Sequence, residues 1–105
     1  MTEAQRIRFE ADGFLTIPGA LGPDQLARVR AAADAAEALW RADPSLPGIR
    51  SDVLEQVQAP IEYDDALLEL LWQPTVFPVV RAALGDDVSM IDNDLFVTPP
   101  RTPRT

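Results

Sequence analysis

Apolar residues recur every three or four positions in the second quarter of the chain, and this spacing predicts one long amphipathic helix. The stripe consists of Leu26, Val29, Ala33, Ala36 and Trp40. Pro23 suits the first turn of such a helix, where a missing N–H costs nothing, and the residue before Pro44 is disfavoured in the helical region. We therefore expect a helix from about residue 23 to residue 42, with Trp40 packed in the core.

The first residues predict a shorter helix followed by a strand. Thr2 and Gln5 have the spacing of a capping box, and Gly13 supplies the left-handed residue that commonly ends a helix. Residues 14–17 are then a run of β-favouring side chains closed by a Pro-Gly pair. This run predicts a short buried strand.

Prolines interrupt the middle of the chain. Residues 43–60 show no sustained period, so we expect a long surface loop with one extended piece around residues 53–57. Asp64 is placed to cap a third helix that Pro74 ends, and its last apolar residue, Trp72, is expected in the core.

A fourth helix is predicted directly after this proline corner. Thr75 is placed as its N-cap, Pro78 is tolerated in the first turn, and Gly85 supplies the C-terminal cap after Leu84. Two short helices are therefore expected to meet at a bend.

Residues 88–98 have a different pattern, which predicts a long strand. Its apolar face carries Ile91, Leu95 and Val97. Its other face carries Asp92, Asp94, Phe96 and Thr98. One face should pack on a core, and the other should meet water or a ligand. Residues 99–105, rich in proline and arginine, predict a tail or cut end.

Composition narrows the chemistry. The 105 residues include no cysteine and no histidine, so this chain by itself forms no thiolate site, no Ser-His-Asp triad and no two-histidine metal site. We expect no catalytic residue and no metal ligand here. The net charge of −8 argues against a nucleic-acid partner. All nine basic residues are arginine, a bias that suggests a GC-rich bacterial genome.

The chain shows neither a secretory signal nor a long apolar run, so we expect a cytoplasmic protein without a membrane partner. The aspartates on the last strand have two interpretations. A metal or substrate role competes with a solvated strand face, and the sequence Asp92-Asn93-Asp94 lacks the glycine and distal glutamate of a calcium loop.

The order of these elements resembles the N-terminal part of the phytanoyl-CoA dioxygenase-like family. The resemblance lies in residues 9–21, with their Asp-Gly-Phe and short apolar run, in the long helix, and in residues 74–88 with their Leu-Gly pair. It ends with the strand that precedes Pro99-Pro100. The resemblance therefore covers nearly the whole chain.

The family resemblance implies an α+β fold in which N-terminal helices brace a double-stranded β-helix of the jelly-roll or cupin type. Members are Fe(II)- and 2-oxoglutarate-dependent oxygenases that hydroxylate, or in some relatives halogenate, a small organic substrate. Their iron is held by a His-x-Asp pair and a distant histidine, and an arginine anchors 2-oxoglutarate. Residues 1–98 would then be an incomplete front segment of such a domain.

In the family, the strand before the His-x-Asp pair lines the cavity. The resemblance therefore implies pocket lining by Asp92, Asp94, Phe96 and Thr98, without a specific contact to the cofactors. Fe(II) and 2-oxoglutarate are implied for the intact enzyme and are not expected to bind this chain alone.

Two other functions stay open. The chain is alternatively a stand-alone acidic binding or assembly module that lacks catalysis and self-associates through residues 88–97. An acidic mimic of nucleic acid is the third alternative, and it is disfavoured because the acids are dispersed rather than gathered in one run.

Overall fold

A computed structural model describes residues 1–100, and they form the α+β class that the sequence predicts. The helices are α1 (Glu3–Asp12), α2 (Pro23–Ala42), α3 (Asp65–Leu68) and α4 (Phe77–Leu84), with 3₁₀ turns at Pro60–Glu62 and Glu69–Trp72. The strands are β1 (Gly48–Arg50), β2 (Glu55–Gln58) and β3 (Asp94–Val97). The predicted tail, residues 99–105, lies outside the described residues from Arg101 onward.

The ends of α1 and α2 confirm the predictions. The Thr2 hydroxyl accepts from the Gln5 N–H at 3.1 Å, and the Gln5 side chain accepts from the Thr2 N–H at 2.9 Å, which completes the capping box. Gly13 is left-handed, with φ of 80°, and ends α1. Helix α2 begins at Pro23 and stops before Asp43, which takes an extended conformation.

The buried face of α2 overlaps the predicted apolar stripe but is turned slightly around the helix axis from it. Ala32, Ala36 and Trp40 are buried, whereas Leu26 is exposed. Small side chains at 32 and 36 let α3 approach α2 closely, and Ala66 with Leu67 complete this cluster. The core therefore forms around alanines rather than large aliphatic residues.

The sheet is antiparallel and has the order β1-β2-β3, so β2 is its central strand. Gly48 and Leu95 lie opposite Val57 on either side, and these three positions share the inner face. Val57 is fully buried there. The loop predicted for residues 43–60 is therefore a hairpin, and only the extended piece near residue 57 was foreseen.

Gly48 is the point where α2 and the sheet meet. A Cβ at this position would overlap the Gln56 carbonyl oxygen and lie 2.9 Å from Nε1 of Trp40. The Trp40 indole occupies the space that a side chain at 48 would fill, and its N–H donates to the Pro47 carbonyl at 2.9 Å. Trp40 is 1% exposed, as expected of a core residue.

Two strand predictions are wrong in extent. Residues 14–17 form no strand, and Phe14 is 65% exposed. Of residues 88–98, only Asp94–Val97 is a strand, and Ile91 is 98% exposed. The reason is the partner strand: Ala59 is left-handed and Pro60 begins a 3₁₀ turn, so β2 ends at Gln58. The pairing continues one position past β2, where the Ala59 N–H donates to the Asn93 carbonyl, and it stops there.

The proline corner is held by a glutamine that the sequence did not single out. Asp64 caps α3 as predicted, its carboxylate accepting from the Ala66 N–H at 2.8 Å. Helix α4, however, has Val76 as its N-cap, and Thr75 does not cap it. The buried Gln73 side chain accepts from both of their N–H groups, at 2.7 and 2.8 Å, and donates to the Ala20 carbonyl at 2.5 Å.

Large apolar side chains remain outside this small core. Trp72 is 58% exposed, contrary to the prediction, and Ile7 and Leu84 are exposed on α1 and α4. These side chains are apolar surface that no other part of residues 1–100 covers.

Among residues 1–100, no single helix combines the length and apolar character needed to cross a membrane. The segment Asp65–Trp72 meets that test only together with α4, across a 49° bend.

We predict that Gly48→Ala destabilises the protein by about 3 kcal/mol, because the new methyl group has no space and the backbone φ of 146° is strained for alanine. Urea unfolding measures the effect. Gly13→Ala is the control, since its φ is also positive but nothing lies within 4 Å, and it should cost only about 1 kcal/mol. Equal losses in the two variants would contradict the packing of Trp40 on Gly48.

Candidate functional site

The predicted pocket wall corresponds to the outer face of the sheet. Asp94 and Phe96 lie on this face of β3, opposite Gln58 and Gln56 of β2. The Asp94 carboxylate accepts from Nε2 of Gln56 at 2.9 Å, and Phe96 is 56% exposed. An acid, an amide and an aromatic ring are thus presented together on the side away from Val57.

The structure brings together only two of the four predicted lining residues. Asp92 and Thr98 are exposed and lie beyond the two ends of β3. Asp92 accepts from the N–H of its neighbour Asn93 at 2.8 Å, which is a local contact. Asn93 in turn accepts from the Ile61 N–H at 3.3 Å and ties the start of β3 to the 3₁₀ turn.

Strand β3 is an edge strand within the described part of the chain. The bond from the Ala59 N–H to the Asn93 carbonyl fixes which residues face β2, because backbone groups alternate along an antiparallel ladder. Leu95 and Val97 direct their N–H and C=O groups toward β2. Asp94 and Phe96 direct theirs toward the open edge.

A second feature is a shallow cleft of about 300 Å³ at the carboxyl end of α2. It is lined by Trp40, Arg41, Arg50, Ser51, Asp52 and Glu55. The cleft lies on the inner side of the hairpin, where Arg50 is paired in register with Glu55.

Arg50 closes the carboxyl end of α2. Its Nη2 donates to the carbonyl oxygens of Trp40 and Asp43 at 2.9 Å each and of Leu46 at 3.3 Å, and its guanidinium stacks 3.8 Å from the Trp40 ring centroid. The last carbonyls of a helix lack intrahelical partners and attract a cation. No local pattern predicts this cap, because the donor, Arg50, belongs to β1 and not to α2. Through Nη2 and its stacked guanidinium plane, Arg50 therefore acts as a structural latch at the end of α2.

Two carboxylates near the latch have pKa values below their ordinary range. The hydrogen bond from Arg41, with smaller contributions from the charges of Arg41 and Arg50, lowers the pKa of Glu55. Arg41 Nε is 2.8 Å from Glu55, and Arg41 also pairs with Glu37 at 3.3 Å. The Ser45 hydroxyl and then the Ser45 N–H lower the pKa of Asp43.

The residues present do not fit the iron and 2-oxoglutarate that the family resemblance implies. A 2-His-1-carboxylate site needs two histidines, and the sequence has none. Residues 1–100 also contain no group of three acidic side chains close enough to hold a metal ion. The outer face of β3 presents the carboxylate of Asp94, which repels a dicarboxylate such as 2-oxoglutarate.

No family model, curated protein or solved structure matches this chain. Its function is therefore inferred from the order of its elements, the outer face of β3 and the open edge of that strand.

We predict that the free energy of unfolding is nearly constant above about pH 5. It should decrease as the pH falls through about 4, where carboxylates ordinarily titrate, and continue to decrease below that pH. The pKa of Glu55 is lower in the folded than in the unfolded chain, so its contribution is present above the unfolded pKa and disappears as pH falls through the folded pKa. Glu55→Gln should flatten the acid limb measured by chemical unfolding, whereas Glu10→Gln on exposed α1 should not. Parallel acid limbs in wild type and Glu55→Gln would contradict this origin.

Proposed function

We propose that this chain supplies the scaffold and one pocket wall of a phytanoyl-CoA dioxygenase-like, Fe(II)- and 2-oxoglutarate-dependent oxygenase, and holds none of its iron ligands. The order of elements supports the proposal. Helix α1 leads into the apolar segment 14–17, α2 follows, and α4 ends at Gly85 ahead of β3. This is the order that the resemblance implies for the front of such an enzyme.

The observation that carries the proposal is the two-sided character of β3. Leu95 and Val97 are partly buried on the side of Val57, and Asp94 with Phe96 faces away from it. A wall strand of a double-stranded β-helix has this arrangement, with one face on the scaffold and the other toward the cavity. In the intact enzyme, Asp94 and Phe96 would contact a small organic substrate rather than the cofactors.

The poorly covered helices support a scaffold role as well. Helices α1 and α4 contain no buried residue, although α4 is strongly amphipathic. A helix with an apolar face gains stability mainly by packing that face against another element. In this proposal, the β-helix of the oxygenase provides that element.

We expect the isolated chain to convert no 2-oxoglutarate to succinate when Fe(II), ascorbate and oxygen are supplied, because no residue set here fits the metal. Succinate formation is the measurement, with an active 2-oxoglutarate oxygenase as the positive control. Turnover that requires the chain and is lost on chelation of iron would overturn the proposal that the reaction centre lies outside these residues.

A second candidate function is an acidic assembly module that pairs through β3 and has no catalytic role. It is favoured by the open edge of the strand, which offers unpaired backbone groups to another chain. Self-pairing through residues 88–97 predicts a sedimentation coefficient that rises with protein concentration. Pairing with a different polypeptide predicts a monomer at all concentrations.

A further inference from the structure

We propose that the open edge of β3 binds an extended, cationic strand of another polypeptide, in which arginine or lysine alternates with apolar residues. The strand would add to the sheet beside β3 as a fourth strand. The proposal does not depend on the oxygenase assignment, because it is argued from the backbone and charge of the edge alone.

The backbone supplies the affinity. Asp94 and Phe96 turn their N–H and C=O groups away from β2, so an incoming strand finds two donors and two acceptors in ladder geometry. Strand β3 is held in place along its other edge, because the backbone groups of Leu95 and Val97 remain bonded to β2. The edge is therefore prepared for pairing without rearrangement of the existing sheet.

Charge determines which strand is favoured. Residues 85–100 include four aspartates and no arginine. Asp86 is paired with Arg81 at 2.8 Å, whereas Asp87, Asp92 and Asp94 belong to none of the ion pairs found in residues 1–100. A second copy would bring the same acids together across the new ladder, and like charges across a ladder destabilise it. A basic strand would neutralise them.

The alternation along β3 gives the pattern of the partner. Residues opposite Asp94 and Phe96 share the outer face, where a guanidinium can pair with the carboxylate and stack on the ring. Residues opposite Leu95 and Val97 share the inner face, where apolar side chains extend the partly buried surface. The favoured partner therefore alternates basic and apolar residues.

The test uses the full chain and two fluorescent peptides of about ten residues, one alternating Arg with Val and the other alternating Glu with Val. Fluorescence anisotropy measures binding. We expect the Arg-Val peptide to bind with an affinity that falls as salt is raised, and the Glu-Val peptide to show no binding.

Matched variants separate backbone pairing from charge attraction. Phe96→Pro removes the ring and the outward N–H, a loss of N–H that edge strands tolerate, and it should abolish binding. Phe96→Val also removes the ring but keeps the N–H, and it should retain binding. Asp94→Asn still accepts from Gln56 and should weaken binding about three- to tenfold. Asp34→Asn, on exposed α2 surface, is the charge-matched control and should have no effect. Circular dichroism verifies that each variant keeps its fold.

Three outcomes would overturn the proposal. The first is no binding of the Arg-Val peptide to folded wild-type chain. The second is equal binding by wild type and Phe96→Pro, which would show attraction to the acidic surface without strand addition. The third is a concentration-dependent dimer that Phe96→Pro disrupts, which would assign the edge to a second copy instead.

Discussion

The packing of the Trp40 indole on Gly48 is the contact on which this structure depends. Only a residue without a side chain leaves room for the ring beside the sheet, and the ring in turn holds the carboxyl end of α2 against the hairpin. Arg50 completes the junction by stacking on the indole and donating to carbonyls at the end of the helix. Burying a tryptophan and satisfying helix-end carbonyls at one point concentrates much of the available stabilisation there.

The junction of Trp40 with Gly48 determines which face and which edge of the sheet are exposed. Because the inner face of the sheet is directed toward α2, Asp94 and Phe96 are presented on the opposite side. Because β2 is the central strand and β1 occupies its other side, β3 keeps an open edge among residues 1–100. The remaining core is an alanine-based contact between α2 and α3, too small to cover α1 and α4. The proposal of a scaffold that meets a further partner is based on these features.

Sequence reasoning succeeded where the cause of a structure is local. The caps at Thr2 and Asp64 were predicted because donor and acceptor lie within a few residues, and the face shared by Asp94 and Phe96 follows from the period of a strand. It failed where the partner is distant. The length of β3 is set by the left-handed Ala59 on the partner strand. At the start of α4 the partner is local, and the prediction of Thr75 as the cap was wrong because the Gln73 side chain accepts from the Val76 N–H instead.

The candidate site shows the same division. Alternation along the chain identified Asp94 and Phe96. Their neighbour Gln56 lies in the extended piece predicted around residues 53–57, but no local pattern indicated that this piece pairs with β3. The open edge itself is a property of strand order, which the sequence of one strand does not contain. The Arg50 latch was missed for a similar reason, since its three carbonyl acceptors precede it in a turn without regular spacing.

The most direct test of the open edge is residue-resolved amide hydrogen exchange on the isolated chain, followed by NMR at low protein concentration. The bonds to β2 predict slow exchange for Leu95 and Val97, and the outward N–H groups predict fast exchange for Asp94 and Phe96. Equal protection of all four amides, independent of protein concentration, would show that the edge is covered within the chain itself and would contradict the account.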